Sequence, residues 1–221
     1  TNYDGNKYIK EAIDNGCKVI VHQKKTQGIK DGVLYVKVKN VRKDLSLAAH
    51  KYFKSKKKNI LAVTGTNGKS SIADFYYQIM LMNKKKAASI GTLGVKTKKK
   101  IFKVNNTTLD PISLAKYLKL LDNFKIDNII LEASSHGLHQ NRLDGIKFNG
   151  GIFTNLSHDH LDYHKSLKNY FNSKLYLFKR LLKNNSFIVA SANNNQYNTI
   201  KKVAKNKKLK LIPLFQKNGI E

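Results

Sequence analysis

The segment Ile60-Leu61-Ala62-Val63-Thr64-Gly65-Thr66-Asn67-Gly68-Lys69-Ser70-Ser71 runs an apolar stretch into two glycines and a Lys-Ser pair. Backbone N–H groups at a helix N-terminus attract phosphate oxygens, and glycines let the backbone come close. Lys69 can reach β- and γ-phosphates, and the Ser70 hydroxyl can bind Mg²⁺. Val63 stands where the common phosphate loop has its first glycine, so Gly-x-x-Gly-Lys-Ser alone is a weak pattern. The strand before it and the helix after it favour phosphate binding over an ordinary βα turn.

Three further groups could do chemistry. Asn128-Ile129-Ile130-Leu131-Glu132 is an apolar strand that ends in a carboxylate. Ligands of open α/β sheets bind at the C-terminal strand ends, so Glu132 should face the phosphate loop and could hold a metal ion. Five of the seven histidines fall between His136 and His164, most of them just after another apolar strand. They can be read as zinc ligands, as a Mg²⁺ ligand, or as packing and surface histidines; the lack of a nearby cysteine and the phosphate loop weigh against zinc. Lys174 lies on the apolar stripe formed by Leu167, Phe171, Leu175, Phe178, Leu181 and Leu182. An inward cation is costly unless paired or neutralised, the bland alternative being a stem that snorkels to water.

These groups need a frame, and the pattern supplies one. Short strands are expected at 18–21, 33–38, 60–63, 87–90, 128–132, 150–154, 186–190 and 209–214. Helices are expected at 5–16, 43–54, 70–82, 111–124, 166–183 and 196–206, with a lysine-rich hairpin after Gly94. The alternation predicts an α/β fold, a mostly parallel sheet with flanking helices, preceded by a partial small α/β unit. The boundary falls at 1–56 and 57–221, across a charged linker at 54–59. The helix at 70–82 is apolar nearly all round and is expected to be buried.

The 221 residues include 42 Lys and Arg against 14 Asp and Glu, a formal net charge of +28. Nearly all the charge is lysine; the only arginines are Arg42, Arg142 and Arg180. Base-reading and phosphate-clamping proteins favour the arginine fork, so the excess reads as solvated surface rather than a nucleic-acid site. Runs such as Lys56-Lys57-Lys58, Lys84-Lys85-Lys86 and Lys98-Lys99-Lys100 fall where turns are expected. No apolar run is long enough to span a bilayer, so no membrane partner is expected. The single cysteine, Cys17, excludes an intrachain disulfide and fits a reducing cytoplasm.

In order along the chain, the phosphate loop, Ile90-Gly91-Thr92-Leu93-Gly94, Asn106-Thr107-Thr108-Leu109-Asp110-Pro111, Glu132-Ala133-Ser134-Ser135-His136-Gly137-Leu138 and Thr154-Asn155-Leu156-Ser157-His158-Asp159-His160-Leu161-Asp162-Tyr163-His164 resemble the Mur ligases. These are ATP-dependent amide-forming enzymes of peptidoglycan synthesis. The Ser-Ser-His-Gly-Leu and Asp-His-Leu-Asp-Tyr-His segments look most like members that add the third residue to the UDP-N-acetylmuramoyl peptide. The ordered set is specific and extends from about Asp4 to the C-terminus. Leu109, the serines at 70 and 71, and His158 depart from the family pattern.

The resemblance implies roles. Gly65, Thr66, Asn67, Gly68, Lys69, Ser70 and Ser71 match the ATP loop, and Asn155 a residue near the nucleotide. Glu132 and His160 match Mg²⁺ ligands. Asn106, Thr107, Thr108, Ser134, Gln140 and Arg142 match positions that bind the UDP-muramoyl dipeptide. Lys174 matches a carbamylated lysine whose carbamate would join Ser70 as a further metal ligand, so that catalysis rests on Lys69, Lys174 and His160 with ATP and two Mg²⁺ ions. The partners implied are the UDP-N-acetylmuramoyl dipeptide and a free amino acid, handled by a cytoplasmic monomer. The family's amino-acid-binding C-terminal domain is expected to be absent, leaving the added amino acid unspecified and the chain unable to ligate alone. Folylpolyglutamate synthase, a basic nucleic-acid-binding P-loop protein and a non-catalytic nucleotide module are the competing readings.

Overall fold

A computed structural model of the chain describes residues 4–56 and 58–215. Residues 5–53 form a small unit. A 3₁₀ turn at Gly5–Tyr8 leads into α1 (Ile9–Asp14), and strands β1 (Val19–His22), β2 (Gly28–Lys30) and β3 (Val33–Lys37) follow. β1 pairs parallel and β2 antiparallel with the central β3. Helix α2 (Val41–Phe53) is capped by Asn40, whose side chain accepts from the N–H of Lys43. The first helix is thus two short pieces rather than one run over 5–16. β2 was not expected, because Gly28-Ile29-Lys30 carries a single apolar residue.

The second unit is built on an eight-stranded sheet in the order β11-β10-β9-β4-β8-β5-β6-β7. Its strands are β4 (Asn59–Thr64), β5 (Ala87–Gly91), β6 (Gly94–Thr97), β7 (Ile101–Phe102), β8 (Asn128–Glu132), β9 (Phe148–Phe153), β10 (Leu182–Ser191) and β11 (Lys210–Leu214). From β11 to β5 all neighbours are parallel; β6 and β7 add an antiparallel edge. The consecutive strands β8 and β9 lie on either side of β4, so the strand order reverses there. Such a switch point opens a crevice beyond the carboxyl ends of the strands.

The two faces are covered unequally. One carries α4 (Pro111–Asn123), α5 (Ser135–His139), α7 (Leu167–Tyr176) and α8 (Tyr197–Asn206), whose Leu114, Leu118, Leu121, Leu138, Leu175 and Ile200 pack with Ile60, Ala62, Ile129 and Leu131. The other carries α3 (Lys69–Met82), where Ala73 meets Leu61, Val63 and Ile130. Alternate residues of β4 and β8 point to opposite faces, which is why both faces read as continuous apolar runs.

Several expectations need correction. α3 is not buried all round: Phe75, Ile79 and Met82 are 61%, 56% and 81% exposed, because only its sheet-facing side has a partner. The helix expected over 166–183 ends at Tyr176 and passes through a π-helical turn at 177–181 into β10, so Leu182 and Lys183 are strand residues. Lys58 is not linker surface but 7% exposed, and its Nζ donates to Asp122 Oδ1 at 2.6 Å and to the Ile126 carbonyl at 2.9 Å. Lys57, from the same run, lies outside the described residues. Lys84, Lys85, Lys86, Lys98, Lys99 and Lys125 instead rim a basin of about 840 Å³ near the start of β5, at the opposite end of the sheet from the phosphate loop.

Candidate nucleotide and metal site

The phosphate loop joins β4 to α3 at the switch point. Gly68 is left-handed, with φ +81°, immediately before the first helical residue. Gly65 has φ +148°, and a Cβ there would collide with the Thr154 side chain. Thr154, the residue after β9, therefore packs directly against bare loop backbone. The chain following β9 braces the loop from outside. Thr66 N–H donates to the Asn155 carbonyl at 3.0 Å, Asn67 N–H to Asn155 Oδ1 at 3.0 Å, and Thr154 Oγ1 to the Asn67 carbonyl at 2.6 Å. Asn155 thus stands against the loop, and Asn194 in turn donates to the Thr154 carbonyl at 2.8 Å.

Two lysines reach this loop from different helices. Lys69 Nζ donates to the carbonyls of Gly65 and Thr66 at 3.1 and 2.6 Å. Lys174 Nζ, from α7, donates to the same Gly65 carbonyl at 2.7 Å and sits 4.1 Å from the centre of the Tyr170 ring. Lys174 is 1% exposed, so its head does not snorkel to water. Burial first, and then the neighbouring Lys69 charge, bring its ammonium down to about 7, against a smaller pull upward from Asp159. Burial also lowers Lys69, opposed by Glu132 and Asp159.

Glu132 closes the other side. It is 2% exposed at the end of β8. Ser70 Oγ donates to its Oε2 at 2.8 Å, and Thr92 donates through N–H to Oε1 at 2.9 Å and through Oγ1 to Oε2 at 3.3 Å. The carboxylate lies against bare Gly91, where a Cβ would collide with it. Its hydrogen bonds among the described residues come from neutral groups only. A buried carboxylate beside a serine hydroxyl is a hard oxygen donor set that suits Mg²⁺. Ser71 is exposed on the first turn of α3.

His160 has left-handed backbone and caps the short α6 (Leu161–His164). Its ring is edge-on to His136 at 4.8 Å and to Tyr170 at 6.1 Å, and its Nε2 lies 3.4 Å from Asp159 Oδ2. His136 also packs on Tyr163 and His164, and Tyr163 Oη pairs with His139 Nδ1 at 2.9 Å. His136, His139, His160 and His164 therefore form an aromatic stack, and His158 is exposed outside it. Among the described residues no three His, Cys, Asp or Glu side chains gather in a group that could hold a metal ion.

Beside Glu132 the other expected residues form a polar wall. Thr108 Oγ1 donates to the Glu132 carbonyl at 2.8 Å and lies 3.0 Å from Ser134 Oγ, while Thr107 Oγ1 meets Thr92 Oγ1 at 3.0 Å. Arg142 donates to the Thr108 carbonyl from Nη1 at 2.7 Å and to Gln140 Oε1 from Nε and Nη2 at 3.0 and 2.7 Å. Asn106 is exposed in the loop preceding Thr107. α2 docks beneath this wall: Ser46 Oγ donates to the Arg142 carbonyl at 3.2 Å and accepts from Gly145 N–H at 3.0 Å. Thr92 and Tyr170 were not singled out from sequence. A threonine in a β-turn and an aromatic residue on a helix stripe carry no chemical signal of their own.

The model of the Mur ligase middle domain matches residues 63–220. The chain belongs to the Mur ligase family. The 2,6-diaminopimelate-adding UDP-N-acetylmuramoyl-L-alanyl-D-glutamate ligase of Rickettsia montanensis is 39% identical over all of this chain and 46% of its own length. The enzyme of the same name from Clostridium tetani is 40% identical over 80% of this chain and 37% of its own. This Mur ligase chain therefore spans about half the length of the curated relatives it matches. A solved structure of a UDP-N-acetylmuramoyl-L-alanyl-D-glutamate–2,6-diaminopimelate ligase superposes with a TM-score of 0.82 at 27% identity, covering 97% of this chain and 43% of that one. Folylpolyglutamate synthase of Mycobacterium tuberculosis, at TM-score 0.61 and 11% identity over 78% of this chain and 45% of that one, shares the fold alone.

Proposed function

We propose that this chain carries the nucleotide and muramoyl-peptide sites of an ATP-dependent ligase that adds the third amino acid to UDP-N-acetylmuramoyl-L-alanyl-D-glutamate. The division at 56/57 separates a small substrate-side unit from the ATP-binding unit. The observation that carries the reading is the meeting of Lys69, Lys174, Ser70 and Glu132 around one phosphate loop at the switch point. The diaminopimelate specificity named for the Rickettsia and Clostridium relatives supports diaminopimelate as the added amino acid.

In this reading the loop N–H groups and Lys69 hold the β- and γ-phosphates of ATP. Thr107, Thr108, Ser134, Gln140 and Arg142 hold the muramoyl dipeptide on the Glu132 side, the Arg142 fork meeting an anionic group of it. Its terminal carboxylate attacks the γ-phosphorus and ADP leaves; the incoming amine then attacks the acyl carbon and phosphate leaves. Two Mg²⁺ ions, held by Ser70, Glu132, His160 and a carbamate on Lys174, would neutralise charge at the transferring phosphoryl group. Lys174 suits that modification because burial keeps part of it as the neutral amine. The ammonium first loses one proton; the neutral amine nitrogen then adds to the carbon of CO₂ and gives up a second, so that a buried cation becomes an anion.

Calorimetric titration of the chain with Mg·ADP and then with UDP-N-acetylmuramoyl-L-alanyl-D-glutamate tests the reading. One site for each is expected, the second weakened by Arg142→Lys. Binding of DNA with steep salt dependence and no uptake of either nucleotide would replace it with the polyanion reading.

A further inference from the structure

The role just proposed for Lys174 needs its amine held at one point beneath the loop, and a neighbour so far given no role touches that amine. Tyr170 lies one turn before Lys174 on α7 and is 1% exposed. Its ring face lies 4.1 Å from Lys174 Nζ. Its hydroxyl donates to Thr66 Oγ1 at 3.3 Å, and Thr66 Oγ1 also accepts from Ser157 N–H at 3.0 Å. The same ring packs edge-on to His160 at 6.1 Å and tilted to His164 at 5.2 Å.

A buried lysine has a long stem with several rotatable bonds and needs both a polar partner and a wall to fix its head. The Gly65 carbonyl is the partner. The Tyr170 face is the wall, and before modification it attracts the lysine ammonium through the negative face of the π system. The hydroxyl at the far end of the ring grips the phosphate loop two residues before Gly68. Tyr170 therefore spans the loop, the lysine and the histidine segment. We propose that Tyr170 is a positioning residue of this site, seating Lys174 through its ring and steadying Thr66 through its hydroxyl. The proposal rests on the nucleotide reading for its consequence, but the seat itself does not.

Two variants separate the two contacts. Tyr170→Phe keeps the ring and loses the hydroxyl; Tyr170→Leu loses both. Lys174 reactivity is read by competitive labelling of the intact chain with acetic anhydride and peptide mass spectrometry, scored against the exposed Lys201. Mg·ADP affinity is read by calorimetry, and thermal melting is recorded for each variant. The phenylalanine variant should leave Lys174 labelling within twofold of the parent and weaken Mg·ADP about fivefold, the worth of one hydrogen bond. The leucine variant should raise Lys174 labelling by tenfold or more and weaken Mg·ADP at least as much. Unchanged labelling in a folded leucine variant would overturn the seat. Should that variant not fold, a phenylalanine variant with altered labelling, or with unaltered Mg·ADP affinity, would overturn the proposal by itself. Absence of Mg·ADP binding by the parent would remove the nucleotide reading, and with it the hydroxyl's role, while the labelling arm would still decide the seat.

Discussion

Lys69 and Lys174 come from different helices, 105 positions apart, and donate to one acceptor, the carbonyl of Gly65, at 3.1 and 2.7 Å. Lys69 and the protonated fraction of Lys174, whose ammonium burial brings down to about 7, make a positive floor beneath the loop. Such a floor calls for a polyanion, and Glu132 beside it calls for a metal.

Replacing Lys69 by Met should leave the fold intact, since its side chain bonds only to its own loop. Mg·ADP affinity should fall about 10- to 100-fold, the range of a charge-assisted hydrogen bond. Calorimetry on the parent and the variant measures it, and equal affinities would mean that Lys69 does not touch phosphate.

Glu132→Gln keeps the shape and removes the charge, though its single acceptor oxygen can serve either Thr92 N–H or the Ser70 and Thr92 hydroxyls and not both. The gain in ADP affinity on adding Mg²⁺ should shrink in this variant, while metal-free ADP binding should stay the same or improve. Titrations with and without Mg²⁺ make the comparison. An undiminished magnesium effect would move the metal elsewhere.

The Lys58–Asp122 pair ties the entry of β4 to α4. Asp122→Asn leaves a buried ammonium without its partner, a change that costs about 3–5 kcal/mol. In a chain of this size the melting temperature should drop by about 6–20 °C. Burial pushes the Asp122 carboxyl up, but hydrogen bonds from Lys58 and the Lys56 N–H outweigh it, and the net value lies below the ordinary one. Its contribution is therefore complete above the usual carboxylate range and is lost as pH falls through the folded value. The variant should lose the corresponding acid sensitivity.

His50 on α2 packs against Gly145, and burial lowers it from 6.5 to about 4. The unfolded chain binds this proton first, so the stabilisation is complete above pH 6.5 and is lost as pH falls from 6.5 to about 4. Urea unfolding across that window should show stability falling with pH, with a shallower slope for His50→Gln.

Much of this site was legible in the sequence because local chemistry announced it. The strand–glycine–lysine pattern at 60–71 marked a candidate phosphate loop, and the apolar stripe around Lys174 set an inward lysine against a snorkelling stem, a choice its 1% exposure decides. What was not legible depended on distant partners. Lys58 read as linker charge because Asp122 lies 64 positions away. α3 read as buried because its composition cannot report that only one side meets the sheet. The helix through Lys174 read as continuous to 183 because the π turn keeps the same apolar residues facing inward. Tyr170 stood outside the apolar stripe read around Lys174; its burial and its contacts with Thr66 and Lys174 emerge only when α7 is laid across the loop.

The central claim is that Lys69, Ser70, Glu132 and Lys174 surround one magnesium–triphosphate site. A crystal structure of the chain with Mg²⁺ and a non-hydrolysable ATP analogue tests it most directly. The phosphates should lie on the 65–71 loop against Lys69, with the metal between them, Ser70 and Glu132, and Lys174 bordering the same space. Phosphates held instead in the lysine-rimmed basin around Lys84–Lys86, at the far end of the sheet, would contradict it.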